Sequence, residues 1–171
     1  MNILHDISDS RITPKEFIAV IEIPTGEKVK YEIDKETGML MLDRITPTGM
    51  RYPMNYGFIP RTLCEDGDAL DVYVVCGETL PPMLLVNCKP VGVIRMIDNG
   101  ERDEKIIAVP VKDPNNDLPK NTANEIITFL KYYKSFKPGN KVEVSPFEGK
   151  DAAIALIKEA KALYKKQGGK K

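Results

Sequence analysis

The sequence predicts an α+β fold that is mainly β: a closed or partly closed barrel carrying C-terminal helices on its outside. Apolar and polar residues alternate in segments broken by Pro and Gly, helical periodicity is confined to the last third, and strands recur about every ten residues. With 171 residues, 42% of them hydrophobic and 29% charged, one domain spanning 1–171 is expected, with neither internal repeat nor linker.

The alternation places strands at FIAVIEI (17–23), KVKYEID (28–34) and MLMLD (39–43). The segment from Asp43 to Gly57 is rich in turn formers and holds Arg44, Arg51, Tyr52 and Tyr56. Further strands follow at LDVYVV (70–75), PVGVIRMI (90–97), KIIAVPV (105–111) and KVEVS (141–145). Asn99-Gly100 carries a type I′ hairpin signal that would pair Asp98 with Glu101.

Thr122-x-x-Glu125 reads as a capping box ahead of Ile126, Ile127, Leu130 and Tyr133 at helical spacing, and Lys137-Pro138-Gly139 stops that helix. A second helix should begin near Asp151 and bury Ala153, Leu156, Ile157, Ala160 and Leu163. It ends before Gly168-Gly169, leaving a frayed tail over about 167–171.

Twenty-five basic and twenty-five acidic residues cancel, so no charge excess points to nucleic acid. The start MNILHDISDSR lacks a basic region followed by an apolar one, and no apolar run reaches membrane-spanning length. A soluble, cytoplasmic chain without a membrane partner is expected. Cys64, Cys76 and Cys88 lack metal-ligand spacing and read as free thiols.

The stretch CEDGDALDVYVV (64–75) crowds Glu65, Asp66, Asp68 and Asp71 ahead of an apolar strand. In an extended chain Asp66 and Asp68 share a side, and Asp71 opens the strand. Like charges at close range repel, so such a cluster either splays into water or holds cations. An EF-hand loop fails on spacing, because Asp71 falls where its glycine belongs and Gly77 where its glutamate belongs. Alternation around the Asn99-Gly100 turn places Asp98, Glu101, Asp103 and Lys105 on one face, which fits either a second acidic site or a solvent-facing hairpin. Lys30 and Glu32 share the polar face of their strand, with Glu22 in the strand before. Arg44, Tyr52 and Tyr56 offer a guanidinium fork and phenols suited to phosphate oxygens, and Tyr133-Lys134 sits near the end of the first helix. Each of these also reads as ordinary packing, surface charge or helix capping.

In order, Glu22-Ile23-Pro24, KYEID (30–34), Asp43-Arg44 with YPxNYGFIP (52–60), DGDxxDV (66–72), and Asp98, Asp103 and Lys105 resemble the family I soluble inorganic pyrophosphatases of bacterial type. The resemblance covers roughly residues 17 to 145. It implies a small OB-like barrel of five strands with flanking helices, and hydrolysis of inorganic pyrophosphate with several magnesium ions per site, manganese or zinc being possible substitutes. It further implies that Asp66, Asp71, Asp98 and Asp103 bind metal and that Asp68 is the general base. Lys30, Arg44, Tyr56, Lys105, Tyr133 and Lys134 would bind phosphate, Lys30, Arg44 and Tyr56 also counting as catalytic, with Glu22 and Glu32 as accessory acids. A homohexamer is the expected assembly. Asn99 stands where bacterial relatives often carry glutamate, and Ala69 where proline is usual. Two other readings use parts of the same pattern. One is a metal-dependent phosphohydrolase for nucleotides or esters; the other is an OB-like single-strand nucleic-acid binder, against which stand the absence of tryptophan and of net positive charge.

Overall fold

A computed structural model describes residues 1–115 and 117–169. It contains strands β1 (Phe17–Ile23), β2 (Val29–Ile33), β3 (Leu40–Ile45), β4 (Asn55–Ile59), β5 (Leu70–Val74), β6 (Leu85–Asp98), β7 (Glu101–Arg102), β8 (Lys105–Pro110) and β9 (Val142–Gly149). Helix α1 (Thr122–Tyr132) precedes β9 and α2 (Lys150–Lys166) follows it. The frayed tail expected from about residue 167 includes Lys170 and Lys171, which lie outside the described residues.

The pairings β1–β4, β4–β5, β5–β8, β8–β6 and β6–β1 return to their starting strand, so five strands form a closed ring. All are antiparallel except β5–β8, which is parallel and sets Asp71 beside Lys105. Closure removes the exposed edges that an open sheet would leave. Strands β2 and β3 form a separate hairpin, tied to the ring where the Ile33 amide donates to Glu22 Oε1 at 2.9 Å.

Strand β4 lies in and just beyond the segment whose turn formers obscured it. Its Gly57 allows close approach: a Cβ there would lie 1.8 Å from the Val20 carbonyl oxygen of β1. Asn55 is fully buried, and its Oδ1 accepts from the amides of Thr25 and Leu80, so this residue fastens two loops from within a strand.

Strand β6 starts five residues before the expected Pro90, at Leu85. Proline is tolerated inside it because the β6–β8 register shifts between Pro90 and Gly92, where no regular ladder bond is required of the missing amide. Helix α1 has Asn121 rather than Thr122 at its N-cap, in a left-handed conformation and without a side-chain cap bond, so the expected capping box does not form. Thr122 is buried inside the first turn instead. The helix stops at Tyr132, five residues before Lys137. In α2 the buried face is Ala153, Leu156, Ile157, Ala160 and Tyr164, so Tyr164 takes the deep position expected of Leu163.

One apolar cluster joins β1, β5 and β8 to α2 through Phe17, Val72, Ile106 and Leu156. A second joins Tyr56, Tyr73, Ile94 and Ile107 to Ile126, Phe129 and Leu130 of α1. The three cysteines are free, and no described helix is long and apolar enough to cross a membrane.

Candidate active site

Parallel pairing of β5 with β8 brings the first residues of both strands to one end of the ring, where the long β6 finishes at Asp98. A cavity of about 340 Å³ opens there. Glu22, Lys30, Glu32, Tyr56, Asp66, Asp68, Asp71, Asp98, Asp103, Lys105, Tyr133 and Lys134 all line it. Arg44 does not: it pairs with Lys30 across β2–β3, lies 3.5 Å from Asp43, and leaves its buried Nε without a partner.

Asp66 and Asp68 reach the cavity by a route other than extended alternation. The Asp68 amide donates to Asp66 Oδ1 at 2.9 Å, and Gly67 between them has φ +85°, so the pair occupies a tight turn that presents both carboxylates. Ala69 follows this turn and packs at its base, so the carboxylate spacing forms without proline.

Lys105 is almost fully buried and donates to Asp71 Oδ2 and Asp103 Oδ1, each at 2.5 Å. Burial pushes the Asp71 carboxyl up to about 6 despite that ammonium, with Asp103 adding repulsion. For Asp103 burial acts in the same direction, but the charge and hydrogen bond of Lys105 outweigh it and hold the carboxyl below its ordinary value. Asp66 is raised, first by burial and further by the charges of Asp68 and Asp103. Glu22 goes furthest: burial, reinforced by Asp71, pushes it up to about 8.

Cationic groups enter from other elements. Lys30 pairs with Glu32 and lies 3.2 Å from Asp43. Lys134, just past α1, pairs with Asp98. Tyr52, Tyr56, Phe129 and Tyr133 pack ring against ring, at centroid distances of 4.7 Å for Tyr52–Phe129 and 5.3 Å for Tyr52–Tyr56, which fixes the phenols behind the charges.

The Asn99-Gly100 turn forms as expected, with Asp98 paired to Glu101. Asn99 has φ +50°; its amide donates to the Lys141 carbonyl at 2.8 Å and its Oδ1 accepts from the Lys141 amide at 3.0 Å. An asparagine here therefore fastens the hairpin tip to the chain beyond Lys134. Strand β7 ends at Arg102, so regular alternation breaks before Asp103, although Asp98, Glu101, Asp103 and Lys105 still share the cavity.

Sequence reasoning missed Lys35 and Arg102, which also line the cavity. Lys35 pairs with Asp68 and donates to the Gly67 carbonyl at 3.2 Å. It follows Asp34, whose side chain accepts from the Thr37 amide, and that turn signal could have shown the chain curling back.

The donor set suits a hard divalent cation: aspartate oxygens, crowded and partly buried, whose charged forms cost less when a cation is near. Among the described residues no three acidic, histidine or cysteine side chains converge into a ready-made ligand shell. Lys105 stands between Asp71 and Asp103, and Asp66 is engaged by the Asp68 amide.

A family model described as inorganic pyrophosphatase matches residues 19–165. The inorganic pyrophosphatase of Halalkalibacterium halodurans is 47% identical over 161 residues, covering 90% of this chain and 98% of that protein. Soluble inorganic pyrophosphatase 2 of Chlamydomonas reinhardtii is 43% identical, over 94% of this chain and 86% of its own length. Among solved structures, the inorganic pyrophosphatase of Thermus thermophilus superposes with a TM-score of 0.87 at 35% identity, covering 95% of this chain and 99% of that one.

Proposed function

The chain belongs to the inorganic pyrophosphatase family, and from that premise we propose how its own side chains hydrolyse pyrophosphate to two phosphates. The observation that carries the reading is one cavity in which Asp66, Asp71, Asp98 and Asp103 face Lys30, Tyr133 and Lys134. Acidic and basic groups interleaved in one cavity, Lys134 with Asp98 and Lys105 with Asp71 and Asp103, suit a metal-bound, highly charged anion.

Asp66, Asp71, Asp98 and Asp103 hold magnesium ions, or manganese or zinc in their place. Such ions, when bound, lower the pKa of water and neutralise phosphate charge. Asp68 takes the proton as a water oxygen bonds to one phosphorus and the bridging P–O bond breaks. Its side chain is 58% exposed and pairs with the similarly exposed Lys35, which leaves it accessible to water. Lys30, Tyr56, Tyr133 and Lys134 donate to phosphate oxygens and stabilise the charge that builds on them, and Arg44, beside the cavity, joins them once its guanidinium turns inward. Lys105 joins them once its hydrogen bonds pass from Asp71 and Asp103 to a phosphate oxygen. Glu22 and Glu32 act at one remove, Glu22 by holding the β2 backbone and Glu32 by orienting Lys30.

The same proposal places residues 1–171 in one catalytic domain, in the cytoplasm, as a homohexamer without nucleic-acid or membrane partners. Exposed Met39, Met41, Leu42 and Ile45 along the β2–β3 hairpin support self-association. A panel of pyrophosphate, ATP and phosphate esters with magnesium tests the substrate. Phosphate release should favour pyrophosphate strongly, and comparable rates on nucleotides would overturn the compact-substrate reading.

A further inference from the structure

We propose that Arg102 is a positioning residue that clamps the segment carrying Asp103 to the loop carrying Asp66, and so sets the affinity for divalent cations. The inference rests on the reading of Asp66 and Asp103 as ion ligands.

Arg102 Nε donates to Glu104 Oε1 at 2.8 Å, and its Nη1 donates to Glu159 Oε1 of α2 at 3.2 Å and to Glu65 Oε1 at 3.4 Å. Glu104 is buried, with its side chain 6% exposed, and also lies 3.6 Å from Arg95 Nη1. Arg95 Nε in turn donates to Glu148 Oε1 of β9 at 2.7 Å. Asp103 lies between Arg102 and Glu104, and Asp66 follows Glu65. One guanidinium, on the residue before Asp103, thus ties together the carboxylates of Glu104 just after Asp103, of Glu65 just before Asp66, and of Glu159 on the flank of α2. A planar fork presents donors on separate nitrogens in a fixed plane, whereas an ammonium concentrates its three donors on one atom at the end of a flexible stem, so only the fork holds these carboxylates in a fixed arrangement.

Three accounts of Arg102 predict different outcomes. If Arg102 acts on the ions only through its field, removing the positive charge tightens cation binding. If it is only structural, the melting temperature falls and ion affinity stays. The clamp predicts looser binding despite the lost positive charge, because the two carboxylate-bearing segments must then be ordered by the ion itself. Residues that orient ligands typically change metal affinity about 10- to 100-fold. Acting through the carboxylates of neighbouring residues rather than on a ligand oxygen, Arg102 belongs at the lower end, about tenfold.

The test is calorimetric titration of Mg²⁺ into wild type, Arg102→Gln and Arg102→Lys without pyrophosphate, beside thermal melts and turnover at saturating Mg²⁺. Both variants should bind Mg²⁺ about tenfold more weakly, with turnover at saturation within about twofold of wild type. Arg102→Lys keeps the charge, so it decides the matter if Arg102→Gln fails to fold. Unchanged or tighter binding in a folded variant overturns the clamp. A wild-type chain that binds no Mg²⁺ overturns the metal assignment, and the clamp with it.

Discussion

Asp68 differs from its neighbours in what touches it: Lys35 pairs with it from outside, whereas Lys105 engages Asp71 and Asp103 from within. Asp68→Asn should therefore keep ion and substrate binding and lose turnover by about 10²-fold or more, the size expected of a lost general base. Near-normal turnover in a burst-corrected assay would remove Asp68 from that role. Arg44 lies beside the cavity rather than in it, which makes Arg44→Lys informative. Loss of the fork should lower kcat/KM by about tenfold or more, and an unchanged value would leave Arg44 without a phosphate contact. Glu22 carries a pH signature. Burial raises its folded-state value from about 4.5 to about 8, so between those limits the folded chain keeps a proton that the unfolded chain releases. Stability of the metal-free protein should fall as pH rises through that window. Glu22→Gln should flatten the change in urea midpoint between pH 5 and pH 8, and an equal slope in both proteins would place the proton elsewhere. At this scale residue types and order were legible, whereas Arg102 and Lys35 were not. Their roles depend on turns and on α2, which no local spacing encodes.

Phe17–Ile23 and Lys105–Pro110 were readable as strands although the alternation expected of them is absent: both are short, nearly continuous apolar runs buried along their length, as strands inside a closed ring require. Strand β4 was not, because Asn55 and Gly57 read as turn formers but serve long-range ends: Asn55 fastens two loops and Gly57 admits the β1 backbone. Gly57→Ala should accordingly cost about 3 kcal/mol or more, since the clash is with a carbonyl oxygen in a paired strand and no side chain can turn aside. Urea unfolding measures this directly, and a loss under about 1 kcal/mol would mean that β1 and β4 can part without penalty. The capping box failed for a related reason. Thr122 is drawn into the core, which removes its hydroxyl from the capping position and leaves Asn121 to turn the chain.

Across the whole molecule, ring closure and the single parallel pairing among its five strands turn scattered motifs into one chamber. Asp71 and Lys105 start neighbouring strands, Asp98 ends a third, and the hairpin and α1 bring Lys30, Tyr133 and Lys134 to the same end. That strands precede the first helix was legible from periodicity, with β9 alone of the described strands falling between α1 and α2. The five-stranded closure followed from family resemblance, because no local pattern states that β6 returns to β1. The proposed chamber turns over pyrophosphate through cations held by aspartates, with Asp68 taking the proton. Phosphate release from pyrophosphate should be fast with Mg²⁺, abolished by EDTA, restored by excess Mg²⁺, and lost in Asp68→Asn. Release that persists in EDTA, or a folded, Mg²⁺-supplied wild type that releases no phosphate, would contradict it.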